Sequence, residues 1–262
     1  MFLSWPKNGA NMNIYETWIA KTPIAHRGLH NDKCPENSIA AFKNAVKNKV
    51  PVEMDVVCLT DGTPVVFHDE KLARMTGKDG FISHCSYKDI EKLNLIGTKE
   101  KIPTLAEALE ALDGKVPAII EIKNWNKVGV VEKAVWKVLQ NYSGDYAIVS
   151  FNPYTLEWFK NNAPKVKRGQ LSCFFKDREV SGARKFSLKR MLFNKKISEP
   201  NFIMYAAADM PNKYLKKYYG KLPIVACPIM NPAQESSLRG FCDNFVFDGY
   251  TPTKLDADKK SK

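Results

Sequence analysis

Short apolar runs alternate with amphipathic segments along almost the whole chain of 262 residues. The apolar runs are rich in β-branched residues, which is typical of buried strands. The segments between them repeat apolar residues at helical spacing, as Ile39, Phe42, Ala45 and Val46 do. The predicted strands cover 23–26, 52–58, 118–122, 146–151, 168–173, 202–206, 224–227 and 245–247. The predicted helices cover 38–48, 105–112, 128–141, 154–161 and 214–219. Asn37 is the predicted N-cap of the first, and Thr104 with Glu107 marks the start of the second.

Strands that alternate with helices predict an α/β fold in which helices cover a parallel sheet. Eight such strands favour a TIM-type (β/α)8 barrel, whose active site lies at the carboxyl ends of the strands. The alternative is an open doubly wound sheet, but its glycine-rich phosphate-binding patterns are missing from the sequence. The polar stretch 70–102 predicts a small insertion after the hairpin of the second strand, capping the mouth of the barrel. We therefore expect one domain over residues 1–262.

The composition is that of an ordinary globular protein, with 44% hydrophobic and 26% charged residues. No stretch approaches the roughly 18 apolar residues that a membrane-spanning helix needs. The start of the chain has no basic leader followed by a sustained apolar core, which argues against a secretion signal. The six cysteines are scattered without a C-x-x-C pair, which is typical of reduced thiols. We expect a cytoplasmic protein.

The net charge is +12, and much of the excess lies between Lys160 and Lys196. That segment holds twelve basic residues but only two acidic ones, Asp177 and Glu179. Such a field attracts anions, which include nucleic acid, an acidic membrane surface and phosphorylated metabolites. The alternative is a solvated lysine-rich surface without a partner.

Two acidic residues stand in the apolar strand 52–58. Glu53 and Asp55 are two apart, so their carboxylates project from one face. Asp61-Gly62 predicts a two-residue hairpin turn, which would set Asp55 opposite His68. Buried carboxylates on one face suit a hard cation such as Mg²⁺ or Ca²⁺. The alternative is an exposed strand face with ordinary surface carboxylates.

Other polar residues follow the predicted first and third barrel strands. His26 and Arg27 come at the end of the first, and Arg suits bidentate recognition of a phosphate. Glu121 and Lys123 share one face near the end of 118–122. We expect these groups to converge, whereas His30 and His84 lie in polar, turn-rich segments and are expected at the surface.

With these motifs the chain resembles the glycerophosphodiester phosphodiesterase family. The resemblance covers most of the chain from Pro23 onward, with looser similarity in the last strand. Its motifs are His26-Arg27-Gly28, Pro35-Glu36-Asn37-Ser38, Val52-Glu53-Met54-Asp55, Thr60-Asp61-Gly62, Val65-Val66-Phe67-His68-Asp69, Ile102-Pro103-Thr104-Leu105 and Ile119-Ile120-Glu121-Ile122-Lys123, followed by Ser150-Phe151-Asn152-Pro153 and Arg168-Gly169-Gln170-Leu171.

The resemblance implies a barrel enzyme that hydrolyses glycerophosphodiesters to an alcohol and glycerol 3-phosphate. It implies one divalent cation, Mg²⁺ or Ca²⁺, as the cofactor and a small-molecule substrate as the partner. By the family pattern, the cation would be held by Glu53, Asp55 and Glu121, the general acid/base pair would be His26 and His68, and the phosphate would be bound by Arg27 and Lys123. Either water or the substrate's own glycerol hydroxyl could be the nucleophile.

One departure from the family pattern bears on the substrate. Family members usually carry a Trp near the end of the seventh barrel strand, where this chain has Val225-Ala226-Cys227-Pro228-Ile229-Met230-Asn231. This leaves a phospholipase D-like enzyme for lysophospholipids or sphingolipids as an alternative, with transient contact to an anionic membrane surface. A non-catalytic binder of nucleic acid or of an anionic surface is a more distant alternative, and no nucleic-acid partner is expected because aromatic residues are few in the basic segment.

Overall fold

The computed structural model describes residues 13–125, 127–176 and 180–253. These residues form two compact units, one over 25–146 and one over 13–24 with 147–253. The strands found within the described ranges are β1 (Ile24–Ala25), β2 (Val52–Cys58), β3 (Pro64–Val66), β4 (Ala118–Ile122), β5 (Tyr146–Ser150), β6 (Lys167–Ser172), β7 (Phe202–Ala206), β8 (Ile224–Ile229) and β9 (Asn244–Phe247). The α-helices of the same ranges are α1 (Trp18–Lys21), α2 (Ile39–Asn48), α3 (Ala73–Thr76), α4 (Tyr87–Ile90), α5 (Leu105–Leu112), α6 (Val130–Leu139), α7 (Pro153–Asn162), α8 (Gly182–Lys189) and α9 (Pro232–Leu238).

The predicted α/β fold of the TIM-type (β/α)8 class is confirmed. Eight strands pair in parallel and alternate with helices along the chain, and the short antiparallel β3 is the additional strand. The predicted bounds of β2, β4, β7 and α5 agree with the structure, because each of these elements is an uninterrupted apolar run or a clear helical repeat. Within the described residues, no helix has the length and apolar character needed to cross a membrane.

The sheet of the first unit is built around β2. Strand β2 pairs in parallel with β1, where Ala25 is the partner of Val52, and with β4, where Asp55 is the partner of Glu121. The first five residues of β2 are all buried, as are all five of β4. Residues that are paired across parallel strands lie side by side, so this register brings two acidic side chains together.

The hairpin that joins β2 to β3 differs from the prediction by one residue. Cys58 pairs with Pro64, so the connection is longer than the two-residue turn predicted from Asp61-Gly62. One Asp61 carboxylate oxygen accepts a hydrogen bond from the backbone N–H of Thr63 at 3.0 Å. Gly62 adopts a φ of 83°, which only glycine adopts without strain. The Asp61 side chain thus organises a wider turn.

This register changes the expected neighbour of Asp55. The backbone N–H of Phe67 donates to the carbonyl oxygen of Asp55 at 2.9 Å, so Phe67 and not His68 stands opposite Asp55. His68 follows the end of β3 and lies in irregular backbone. Its position is therefore set by the loop after the strand and not by the strand pairing that the hairpin rule assumed.

Two helix predictions also need correction. Ser38, and not Asn37, caps α2, since its hydroxyl oxygen accepts from the backbone N–H of Ala41 at 3.1 Å. The predicted helix over 214–219 is a series of turns. Its backbone hydrogen bonds run to the third residue back, from Leu215 N to the Asn212 oxygen and from Tyr218 N to the Leu215 oxygen. This spacing belongs to turns and not to an α-helix.

The insertion over 70–102 contributes Leu72, Met75, Ile82, Ile90 and Leu95 to an apolar core. It carries α3 and α4 and little other regular structure. This core also includes residues of the hairpin, so the insertion is packed against the end of β2 and β3. The insertion is therefore a packed part of the fold. Its role as a cap over the mouth of the barrel stays a prediction.

The second unit holds β5 to β9 in parallel. Its basic segment consists of the end of α7, β6, α8 and a π-helical turn at Asn194–Ser198, while Asp177, Arg178 and Glu179 lie outside the described residues. Part of its charge is neutralised or buried. Lys160 lies 3.2 Å from Glu199, and Lys176 lies 3.3 Å from Asp209. Arg168 is buried and donates to the carbonyl oxygen of Val166.

Gly28→Ala should destabilise the fold more than Gly62→Ala. Both glycines have a φ near +80°, so both variants carry the cost of a left-handed alanine, about 1–2 kcal/mol. A Cβ at position 28 would also lie 2.9 Å from the Cβ of Ala41, whereas a Cβ at 62 meets nothing within 4 Å. We expect Gly28→Ala to lose about 1–3 kcal/mol more free energy of unfolding in urea denaturation. Equal losses would contradict the close approach of Gly28 to α2.

Candidate active site

Three carboxylates lie together where β2 and β4 run side by side. Glu53 and Asp55 are 1% exposed and Glu121 is 8% exposed. Each offers an oxygen that lies within 4.8 Å of an oxygen of the other two. The grouping follows from the alternation of β2 and from the register that pairs Asp55 with Glu121. These three side chains can hold a metal ion.

Two cationic side chains contact the carboxylates. The Lys123 Nζ lies 3.0 Å from Asp55 Oδ1 and 2.9 Å from Glu121 Oε1. Arg27 contributes in two ways, since its Nε lies 3.3 Å from Asp55 Oδ2 and its backbone N–H donates to Glu53 Oε2 at 3.0 Å. Two cations against three carboxylates leave one negative charge without a cationic partner inside this cluster.

The pKa values in the cluster show how that imbalance is distributed. Burial would raise the pKa of Asp55, but Lys123, His68 and Arg27 together hold it far below its usual range. Burial raises the pKa of Glu53, and the negative charges of Asp55 and Glu121 raise it further, well above the usual value. Burial would lower the pKa of Lys123, but the facing carboxylates raise it. A further positive charge would therefore stabilise the ionised form of Glu53 above all.

A divalent cation fits this need. Three oxygen ligands on one wall suit hard ions such as Mg²⁺ and Ca²⁺, which bind carboxylates in preference to nitrogen or sulfur. A buried carboxylate that is costly to ionise is a better ligand for a cation than a solvated one, because the ion replaces the missing solvation. The donor set and its burial thus agree with the predicted cofactor site.

Asn37 holds Asp55 in place from the loop before α2. Its Nδ2 donates to Asp55 Oδ2 at 2.9 Å, and its Oδ1 accepts from the backbone N–H of Asp55 at 3.3 Å. Asn37 has a φ of 56°, a left-handed conformation that Asn tolerates better than most residues. The residue that was expected to cap the helix is thus used to orient a carboxylate.

The two predicted histidines flank the cluster. His26 Nε2 lies 4.0 Å from Glu53 Oε2, directly after β1. His68 is partly exposed, and its Nδ1 lies 2.7 Å from Asp69 Oδ1. The Asp55 carboxylate is close enough for both imidazoles to affect its pKa. Both rings therefore belong to the neighbourhood of the carboxylates.

The charge of Asp69 selects the tautomer of His68. Burial would raise the pKa of Asp69, but hydrogen bonds from Arg74 and His68 lower it to about 2. Asp69 is therefore ionised near neutral pH and can only accept, so the proton shared with it sits on Nδ1 of His68. This leaves Nε2 as the atom with a lone pair. Burial lowers the pKa of His68, which keeps the ring neutral over more of the range below pH 7.

A chain of ion pairs links Arg27 to Asp69. Glu36 Oε1 accepts from Arg27 Nη1 at 2.7 Å and from Arg74 Nη2 at 2.8 Å. Arg74 also donates to Asp69, from Nε at 2.5 Å and from Nη2 at 3.0 Å. Burial would raise the pKa of Glu36, but the two arginines lower it, so it is ionised as well.

All seven predicted site residues lie in the first unit: Glu53 and Asp55 within β2, Glu121 within β4, and the other four shortly after β1, β3 or β4. His30 is partly buried and His84 is exposed, and neither enters the contacts described above. Four residues that contact the site residues or their partners were not among the predicted site residues: Glu36, Asn37, Asp69 and Arg74. The first three stand inside the quoted motifs and could have been noticed as polar residues next to predicted site residues. Arg74 had no such indication.

Known proteins with similar sequences indicate the same family as the motifs. The model of the glycerophosphoryl diester phosphodiesterase family matches residues 26–210. A glycerophosphodiester phosphodiesterase of Caldanaerobacter subterraneus is 38% identical over 160 residues, which are 56% of this chain and 65% of the relative. The human glycerophosphodiester phosphodiesterase 1 is 37% identical over 110 residues, 38% of this chain and 33% of the relative. The chain thus spans less than two thirds of the length of these relatives.

Solved structures share the fold over more of the chain. A phosphodiesterase of Oleispira antarctica, solved in complex with the product sn-glycerol-3-phosphate, has a TM-score of 0.74 and 23% identity, covering 91% of this chain and 96% of the other. A glycerophosphodiester phosphodiesterase of Thermotoga maritima has a TM-score of 0.69 and 22% identity, covering 92% and 98%. The family model extends from His26 across most of the chain. The chain therefore belongs to the glycerophosphoryl diester phosphodiesterase family.

Proposed function

We propose that this protein is a metal-dependent enzyme that hydrolyses glycerophosphodiesters to an alcohol and sn-glycerol 3-phosphate. The observation that carries the proposal is the buried group of three carboxylates, flanked by Arg27, Lys123 and two histidines. Membership of the family supports the reaction class. The fold is shared with a phosphodiesterase that was solved with sn-glycerol-3-phosphate bound, which supports the same product.

Arg27 and Lys123 are the groups proposed to bind the phosphate. A phosphodiester carries one negative charge, and further charge develops on its oxygens as the nucleophile attacks. A guanidinium offers planar, paired donors and an ammonium offers a compact point charge. Both are held by carboxylates, so their positions are fixed before the substrate arrives. The energy of ordering them is then not taken from substrate binding.

Glu53, Asp55 and Glu121 are proposed to hold one divalent cation, Mg²⁺ or Ca²⁺. When bound, such a cation polarises a phosphoryl oxygen and helps to orient the attacking hydroxyl. Asn37 fixes the orientation of one of its ligands through Asp55 Oδ2. Such outer partners of a metal ligand typically account for a 10- to 100-fold difference in affinity or activity.

His26 and His68 are proposed to transfer the protons. One imidazole accepts the proton of the attacking hydroxyl, and the other donates a proton to the leaving alkoxide. His68 acts through Nε2, because Asp69 occupies its Nδ1. A neutral ring near pH 7 suits a base, and each positioned proton transfer contributes roughly 10²- to 10⁴-fold to the rate.

Purified protein supplied with Mg²⁺ or Ca²⁺ should release sn-glycerol 3-phosphate from glycerophosphocholine and related diesters. After dialysis against EDTA the rate should fall by about 100-fold or more, because the phosphoryl charge is then left without its cation. Adding the divalent ion should restore the rate. The measurement is enzymatic detection of glycerol 3-phosphate over a panel of head groups that includes lysophosphatidylcholine.

Glu121→Gln and Glu110→Gln provide a matched pair for the metal role. Glu121 lies in the carboxylate cluster, whereas Glu110 is exposed on α5. Only the first variant should need a higher metal concentration for half-maximal rate. Full activity in excess EDTA would refute the metal role. Turnover of lysophosphatidylcholine without turnover of glycerophosphocholine would replace the proposed substrate with a lysophospholipid.

His26→Ala and His68→Ala should each lower kcat by about 100-fold or more, since each removes one proton-transfer group. The control is His84→Ala, which removes an exposed imidazole of the insertion that contacts the ring of Phe81. Circular dichroism should show that all three variants remain folded. If both active-site variants keep more than about a tenth of the wild-type kcat, the acid/base assignment is wrong.

A further inference from the structure

One arginine of the insertion joins the two loops that carry Arg27 and His68. Arg74 lies on α3, between Glu36 of the loop after β1 and Asp69 of the loop after β3. Its guanidinium makes paired hydrogen bonds to both carboxylates: Nη1 and Nη2 donate to Glu36 at 2.8 Å each, and Nε and Nη2 donate to Asp69 at 2.5 and 3.0 Å. Four directed bonds from one planar group fix the relative position of the two carboxylates.

Each carboxylate passes this constraint to a proposed active-site residue. Glu36 Oε1 also accepts from Arg27 Nη1 at 2.7 Å. Asp69 Oδ1 also binds His68 Nδ1 at 2.7 Å. Neither Arg27 nor His68 is held inside a regular strand or helix, so their side-chain positions depend on such contacts. Arg74 is thus one contact removed from the proposed phosphate ligand and from the proposed proton-transfer group.

A purely structural role explains these contacts poorly. The Arg74 side chain is 49% exposed, and exposed ion pairs contribute little to stability because water competes for both charges. The insertion is already held by the apolar core that it shares with the hairpin, which includes Met75 next to Arg74. Lys78 and Lys71, exposed cations of the same insertion, make no ion pair within the described residues comparable to those of Arg74. These bonds therefore matter for the side-chain positions that they fix and not for stability.

We propose that Arg74 is a positioning residue of the active site, which uses one guanidinium to hold Arg27 through Glu36 and His68 through Asp69. This inference rests on the function proposed above, since it assigns Arg74 a part in that reaction. Arg74 itself touches neither of the two active-site residues directly. The contact of Arg74 with Glu36 and its contact with Asp69 should therefore affect different kinetic constants.

The contact with Glu36 should affect substrate binding, and the contact with Asp69 should affect the chemical step. Glu36→Gln keeps the shape of the side chain but weakens its hold on Arg27, so KM should rise by about tenfold while kcat stays within about twofold. Asp69→Asn removes the charge that keeps the proton on Nδ1 of His68. In that variant kcat should fall by about 10- to 100-fold, with KM within about twofold.

Arg74→Gln should combine both effects, raising KM and lowering kcat. Arg74→Lys should recover part of the loss, because an ammonium can bind a carboxylate but cannot make two paired contacts at once. The matched control is Lys78→Gln, which removes an exposed positive charge four residues further along the insertion and should leave kcat and KM unchanged. All variants are assayed with saturating divalent cation, well below the unfolding temperature found by circular dichroism.

Double variants separate positioning from a general weakening of the fold. If Arg74 acts through Asp69, the pair Arg74→Gln with Asp69→Asn should have a kcat no lower than Asp69→Asn alone. The pair Arg74→Gln with Glu36→Gln should likewise have a KM no higher than Glu36→Gln alone. Losses that add in both pairs would overturn the proposal.

An Arg74→Gln variant with both constants within twofold of an active wild type would also overturn it, and would leave the proposed function standing. A wild-type protein that turns over no glycerophosphodiester with Mg²⁺ or Ca²⁺ would overturn both. The predicted split of the two constants between Glu36→Gln and Asp69→Asn, together with partial recovery in Arg74→Lys, would support it.

Discussion

Three carboxylates buried side by side are the constraint on which the rest of the site depends. Ionised groups without solvent are costly unless each has a partner, and here Asp55 and Glu121 are neighbours by strand register. Lys123 stands two residues after Glu121 and directly follows β4, so one short stretch of chain supplies both the charge and its partner. Burial, together with the negative charges of Asp55 and Glu121, raises the pKa of Glu53, and this environment favours a bound cation.

The loops around this cluster are held by polar contacts. Arg27 and Asn37 both belong to the connection between β1 and α2, and both contact Asp55. His68 and Asp69 belong to the connection after β3. Polar contacts of this kind are directional, whereas apolar packing tolerates small shifts. A site proposed to hold donors at defined distances from a phosphate therefore gains from loops that are held by hydrogen bonds.

The insertion over 70–102 has a physical role that its composition does not suggest. Its apolar core packs on the hairpin of β2 and β3, which gives α3 a defined position. Its Glu100 carboxylate accepts from the backbone N–H of Ala40 in the first turn of α2, at 2.9 Å. With Arg74 on Glu36 and Asp69, this polar segment is joined to both loops of the site. An insertion with little regular structure can thus be part of the scaffold of the proposed active site.

Local patterns were enough to predict much of this protein. The apolar runs set the bounds of β2 and β4, and the alternation along them placed Glu53 with Asp55 and Glu121 with Lys123 on common faces. Thr104 and Glu107 form the capping box that their spacing predicts. These features depend on residues within a few positions of each other, and their physics is contained in that interval. The motifs then identified the family, and the resemblance supplied the predicted site residues.

Other features needed partners that are distant in the chain. Asn is a residue type that often caps helices. Asn37 instead binds Asp55, 18 positions away, and Ser38 caps the helix. Asp61 is bound by the backbone N–H of Tyr87, 26 positions away, in a hairpin turn one residue wider than its motif predicts. Arg74 reaches Glu36 across 38 positions. The partner of each of these side chains was decided by which groups the folded backbone brought within hydrogen-bond distance.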